Sequence, residues 1–189
     1  LTEKLVTDRH PRGVFIDHLL PPDTTAERFD RDYQAHVDFA NSSYVLSKAQ
    51  AVADRATTVL DATVANHTLN KTIEMTASGQ LSVHYDLTLP PSSGPLLFAS
   101  EVDFSLLTPE TAGGRRLVML EPETEVDPRP GARLEHDDVR ALRIDGGDMG
   151  FAIRIDVAAG ASLWRVPIET VSQSERGFES AYQGTALLF

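Results

Sequence analysis

Strict two-residue alternation is the feature that most limits what this chain can become. Leu81, Val83, Tyr85, Leu87 and Leu89 take turns with Ser82, His84, Asp86 and Thr88. Phe151, Ile153, Ile155 and Val157 do the same with Ala152, Arg154 and Asp156. A strand sends successive side chains to opposite faces, so each run predicts a strand with one dry side and one wet side. Leu69, Ile73 and Met75 alternate with Asn70, Thr72 and Glu74, and the turn signal Ser78-Gly79 joins that run to the one beginning at Leu81. A hairpin is expected there.

Other segments follow the same logic. Strands are expected over residues 12–18, 44–53, 57–65, 96–107, 117–120 and 139–144, and in a closing pair over residues 163–189. Gly146-Gly147-Asp148 reads as a hairpin turn, and residues 90–95 and the acidic, proline-bearing residues 121–131 read as loops on the surface. One short helix is expected after Thr24 or Thr25, with Ala26, Phe29, Tyr33 and Val37 at helical spacing. Residues 1–10 carry no periodicity and are expected to fray. Roughly ten strands with regular turns and one short N-terminal helix predict an all-β antiparallel β-sandwich or barrel. With no internal repeat and no composition shift, residues 1–189 are expected to form a single domain.

Charge and composition exclude several function classes. The 28 acidic against 17 basic residues leave a formal charge of −11. Nucleic acid and anionic membrane are poor partners for such a surface, because affinity for phosphate rests on clustered Lys and Arg. No apolar run approaches the roughly 18–20 residues of a membrane span, and no signal peptide is visible. Cysteine is absent, so neither disulfides nor thiolate metal sites are expected, which fits a cytoplasmic location. The first residue is Leu, which suggests a fragment of a larger protein or a processed chain.

Chemistry-bearing motifs are few. His10, His18, His36, His67, His84 and His136 show no metal-binding spacing. No phosphate loop, dinucleotide fingerprint or nucleophile elbow is present, and no metal or cofactor is expected. Glu169 and Glu175 invite comparison with the carboxylate pair of glycosidases, which stands about 5–10 Å apart. Six residues of extended strand separate them by ~20 Å unless the polar run at residues 170–174 bends. Glu101 and Asp103 form a second acidic pair on one strand face, fit for a hard cation or for sugar hydroxyls, or simply for water. Lys71 falls on the apolar parity of Leu69, Ile73 and Met75, so it either snorkels or is buried against a carboxylate. Trp164 shares parity with Val166 and Ile168 and is expected in the core. Arg165 shares the opposite parity with Glu169, where an ion pair is expected.

Four stretches, in order along the chain, carry a family resemblance. WRVPIETVSQSERGFESAYQGTALLF (164–189) resembles the closing motif of the C-terminal domain of glycoside hydrolase family 57 enzymes, the α-amylase and 4-α-glucanotransferase group. RGVFIDHLL (12–20), followed by Pro22, Asp23, Thr24 and Thr25, is similar to that domain's opening. LNKTIEMTASGQLSVHY (69–85) resembles its lysine-containing strand and hairpin, and FASEVDFSLL (98–107) its central acidic strand. Asp103 departs from the pattern, standing where Asn is expected.

The resemblance implies a galactose-mutarotase-like supersandwich that follows a catalytic barrel. The catalytic carboxylates belong to that barrel, so no catalytic residue is assigned here. It implies a non-catalytic accessory domain that packs against the barrel and contacts α-glucan or maltooligosaccharide. Lys71, Glu101, Glu169, Gln173 and Glu175 are the candidate sugar-binding residues, expected as a polar cluster on a concave face. A free-standing carbohydrate-binding module and a mutarotase-like epimerase, for which His84 beside Asp86 is a candidate acid/base group, are the alternatives.

Overall fold

The computed structural model describes residues 8–174 and 177–189, the side chains of residues 173, 174 and 177 excepted. The frayed segment expected over residues 1–10 lies mostly outside this range, and so does Glu175. Ten strands and one α-helix make up the described chain: β1 (Val14–Leu20), α1 (Ala26–Arg31), β2 (Val45–Val52), β3 (Arg55–Val64), β4 (His67–Thr76), β5 (Leu81–Thr88), β6 (Leu97–Phe104), β7 (Arg115–Glu121), β8 (Leu134–Gly146), β9 (Ala152–Ser174) and β10 (Gly177–Leu188). All strand pairs with a described register are antiparallel, and the strands form two sheets. The expected all-β antiparallel class with one short helix is what the structure has. Among the described residues no helix is long and apolar enough to cross a membrane.

The chain divides into two compact units. The first comprises Leu1–Ile16, Thr24–Tyr33 and Ala99–Phe189; the second comprises Asp17–Asp23 and Gln34–Phe98.

The larger sheet has six strands in the order β1-β6-β10-β9-β8-β7, of which β7 to β10 belong wholly to the first unit. The C-terminal strands thus occupy its centre. Its core gathers Leu106, Leu117, Met119, Val139, Leu142, Ile144, Leu163 and Leu187. Apart from Leu106, these lie on β7 to β10, where alternation turns them to one side. β9 runs unbroken for 23 residues, whereas the sequence suggests separate strands before and after residue 160. The joint is Gly160, at φ 69°, inside a register shift against β8. A side chain there would be strained by the left-handed backbone and would meet Asp138 Oδ1 at 2.7 Å, so glycine lets the strand continue through its bulge. The expected surface loop at 121–131 is fastened to the sheet: Leu117 N donates to Pro128 O at 3.0 Å, and Thr185 Oγ1 to Pro130 O at 2.6 Å.

The second unit holds a four-stranded meander, β2-β3-β4-β5. Its core is Leu19, Val37, Phe39, Ala62 and Leu69, joined by half-buried Tyr44, Val64, Tyr85, Leu87, Leu96 and Phe98. The helical spacing through Tyr33 and Val37 does not extend α1, which ends at Arg31. Instead Val37 bridges Leu19, with the amides of His36 and Val37 both donating to Leu19 O.

Candidate functional site

Within the first unit a cleft of about 820 Å³ opens between α1, the N-terminal segment and the central strands. Its floor is Val166 to Ile168, Glu169 and Val171 on β9 with Phe178 and Ser180 on β10; its walls include Arg9, His10, Arg12, Phe29, Tyr33 and Arg133.

The wall formed by α1 is set by local chemistry. Thr25 caps the helix, its Oγ1 accepting from Arg28 N at 3.3 Å, and Glu27 lies in the first turn, where the helix dipole favours negative charge. The helix buries one large side chain, Phe29, whose ring lies 6.2 Å from that of Trp164 on β9 and 5.3 Å from that of Tyr33. Trp164, 7% exposed, is therefore a core residue supporting the cleft from behind, as its parity suggests. Tyr33 stays half-buried, with His10 edge-on at 5.3 Å.

Every arginine of the cleft has a carboxylate partner. Arg9 lies 3.6 Å from Asp32 and donates to Tyr33 O at 3.0 Å; Arg31 meets Glu27 at 3.0 Å; Arg133 pairs with Asp30. Arg12 bridges Asp8 at 2.7 Å and Glu101 at 2.8 Å. These pairs hold the guanidinium forks in place and cancel their charge. Glu169, exposed on the floor, has no ion-pair partner among the described residues.

Beneath Arg12 lies the acidic pair on β6. Glu101 is fully buried, with Oε1 on Arg12 and Oε2 3.5 Å from His10 Nε2. Glu101 therefore does not stand on the wet strand face that the sequence also allowed, whereas Asp103 is half-buried. Asp103 accepts from Gly13 N at 2.8 Å through Oδ2. Burial, and then the charge of Glu101, push its pKa up to about 7, against the opposing pull of Gly13 N–H and Arg12.

A proton on Asp103 therefore belongs to the folded state. The unfolded side chain loses its proton near the ordinary carboxylate range while the folded one keeps it to about pH 7. This contribution to stability is full below that ordinary range and is lost as pH rises through about 7. An amide keeps the neutral form at every pH. Asp103→Asn is expected to raise stability at pH 8 by about 1–2 kcal/mol, solvent on its half-exposed side screening the full effect, and to change little at pH 4. Urea midpoints at the two pH values measure this; an equal shift at both would refute the assignment.

Lys71 belongs to the second unit, 5% exposed, and its Nζ donates to Asp17 Oδ2 at 2.6 Å while lying 4.6 Å from the centre of the Tyr44 ring. The phenol of Tyr44 donates to the same Asp17 oxygen. Arg165 does not pair with Glu169: it is 1% exposed and donates from Nη2 to Asp127 O at 2.8 Å, beneath the fastened loop. Burial lowers its pKa to about 10. His84 and Asp86 pair at 3.3 Å on the exposed face of β5. The side chains of Gln173 and Glu175 lie outside the described residues.

A family model described as alpha-amylase/4-alpha-glucanotransferase, C-terminal, matches residues 1–189. The chain belongs to this family. It is 25% identical over 190 residues to a 4-alpha-glucanotransferase of Thermococcus kodakarensis, covering 98% of this chain and 25% of that protein. A 40-residue stretch is 52% identical to alpha-amylase 1 of Dictyoglomus thermophilum, over 21% of this chain and 6% of the amylase. The crystal structure of the 4-alpha-glucanotransferase from Thermococcus litoralis has the same fold over 100% of this chain and 26% of its own, with a TM-score of 0.65 at 20% identity. This alpha-amylase/4-alpha-glucanotransferase C-terminal chain thus spans about a quarter of the glucanotransferases it matches.

Proposed function

We propose that this chain is a non-catalytic accessory domain of an α-glucan-processing enzyme of the family 57 type. It packs against the catalytic barrel, contacts α-glucan through the cleft of its first unit and works in the cytoplasm. The observation that carries the sugar contact is the cleft. Its four arginines are each neutralised and held by a carboxylate, so the lining offers directed hydrogen-bond donors without net positive charge. That suits a neutral polyhydroxylated chain better than an anion. Tyr33 supplies a half-buried ring for a sugar face, and Glu169 a free acceptor for its hydroxyls. Glu101 acts from below, positioning Arg12. Lys71, in the second unit, serves its own ion pair.

Titration with maltoheptaose by calorimetry tests the contact. Millimolar binding is expected, weakened about threefold to tenfold by Glu169→Gln and again by Tyr33→Ala, since a hydrogen bond to a charged acceptor contributes about 1.5–3 kcal/mol before water competes for it. No heat with the wild type at ~10 mM ligand would remove the sugar contact and leave the accessory role standing.

A further inference from the structure

The meander of the second unit is dry on one face along its whole length, yet its core covers only one end. Directly paired residues of an antiparallel sheet share a face. By register, Ala62, Leu69 and Leu87 form one row on that face, and Ala51, Ala56, Met75 and Leu81 the last, with Ala49, Thr58, Ile73 and Val83 beside them. The first row is in the core, where Leu69 is 0% exposed. At the other end Met75 is 55% and Leu81 48% exposed, and on β2 the same face stays bare back to Leu46, 57% exposed in the row of Leu60 and Lys71. The opposite face at this end carries Arg55, Thr57, Glu74 and Ser82, with Val52 beside Arg55 at the edge. The bare end is therefore a continuation of the dry face, without a core of its own to cover it. The one charge on that face, Lys71, is committed to Asp17.

We infer that this end of the sheet is the seat of the catalytic portion of the same polypeptide. The inference rests on the accessory-domain reading and adds the face. The glucanotransferases that match this chain devote about three quarters of their length to something else, so a domain of this family has a large folded neighbour on its own chain. The patch offers that neighbour a charge-free apolar surface, the kind that obligate interfaces use. A second copy fits poorly, because each chain carries a net charge of −11. β2, the sheet edge, is exposed at every residue and extends the same surface.

The three methionines provide the test, because Met119 is buried, Met149 half-buried and Met75 exposed in this chain. The full-length polypeptide is oxidised with hydrogen peroxide, native and in urea, and each sulfoxide is followed by mass spectrometry. Met75 is expected to react at least ~10-fold more slowly in the native protein than in urea, and to return to within ~2-fold of the urea rate in the Leu46→Glu, Leu81→Glu double variant. Both replaced side chains are about half exposed, and continued protection of Met119 shows that the variant has folded.

Met75 reacting at the urea rate in native protein, with Met119 protected, overturns the inference. So does protection that vanishes on dilution to nanomolar concentration, which assigns the face to a second copy. A polypeptide without a catalytic portion removes the accessory-domain reading and this inference with it. Protection of Met75 in a protein that binds no maltoheptaose leaves this inference standing and removes only the sugar contact.

Discussion

Lys71→Met is expected to cost about 3–5 kcal/mol. Methionine keeps an aliphatic stem of similar length and deletes the ammonium, with its contacts to Asp17 and to the Tyr44 ring. Asp17, 1% exposed, then retains the Tyr44 phenol on Oδ2, while its Oδ1 already has no hydrogen-bond partner among the described residues. An uncompensated buried carboxylate is what makes such deletions expensive, not the strength of the pair itself. The double variant Asp17→Asn, Lys71→Met is therefore expected to recover most of the loss. Equilibrium urea unfolding of the three proteins checks both statements. A double variant no more stable than Lys71→Met would mean that the ammonium matters through contacts other than Asp17.

Trp164→Ala is expected to cost a further class of energy, about 3–5 kcal/mol, through cavity formation rather than charge. The indole fills the space between β9 and α1 and meets Phe29, the one buried residue of that helix. A six-residue helix has little stability of its own, so its position depends on that contact. Loss of the indole should therefore also weaken maltoheptaose binding, because Tyr33 and Arg31 lose their support. Trp164→Phe, which keeps an aromatic ring, is expected to cost less than half as much. Circular dichroism is the suitable probe, since the substitution removes the only tryptophan. A cost below ~1 kcal/mol would contradict the core assignment.

The strands were legible wherever one face is dry. The alternating runs at Leu69–Met75 and Leu81–Leu89 fall on β4 and β5 in the expected hairpin, because period two is a direct consequence of the pleat. Two departures have local causes. β9 passes through Gly160 without ending, since a bulge tolerates the positive φ that elsewhere marks a turn. α1 does not reach Val37, because the amides of His36 and Val37 are taken by Leu19 and Asp32 already leaves the helical conformation.

Sites were legible one residue at a time and not as constellations. The parity of Lys71 announces a buried charge, but its partner Asp17 lies 54 positions away, which no local pattern reveals. Glu169 draws attention on its own strand, whereas Arg9, Arg12, Tyr33 and Arg133 look like ordinary surface residues until the fold brings them to its cleft. The available signal was the density of interleaved Asp and Arg over residues 8–12 and 27–32, which supplies most of the ion pairs there. Arg165 was misassigned because a proline-bearing acidic segment reads as solvated loop, while here it is tied across the sheet and shelters the guanidinium.

The strand order of the larger sheet also dictates a sequence of events during synthesis. Residues 34–98 form one uninterrupted stretch whose neighbouring strands pair with one another, so this part has its partners as soon as it leaves the ribosome. β6 does not. Its partner on one side is β10, and at about 5–20 residues per second it waits several seconds for Gly177–Leu188 to be made. An unpaired strand is a template for the wrong edge, and an inward-pointing charge is a common safeguard against it. Glu101 and Asp103 supply that charge while the edge of β6 that awaits β10 is open.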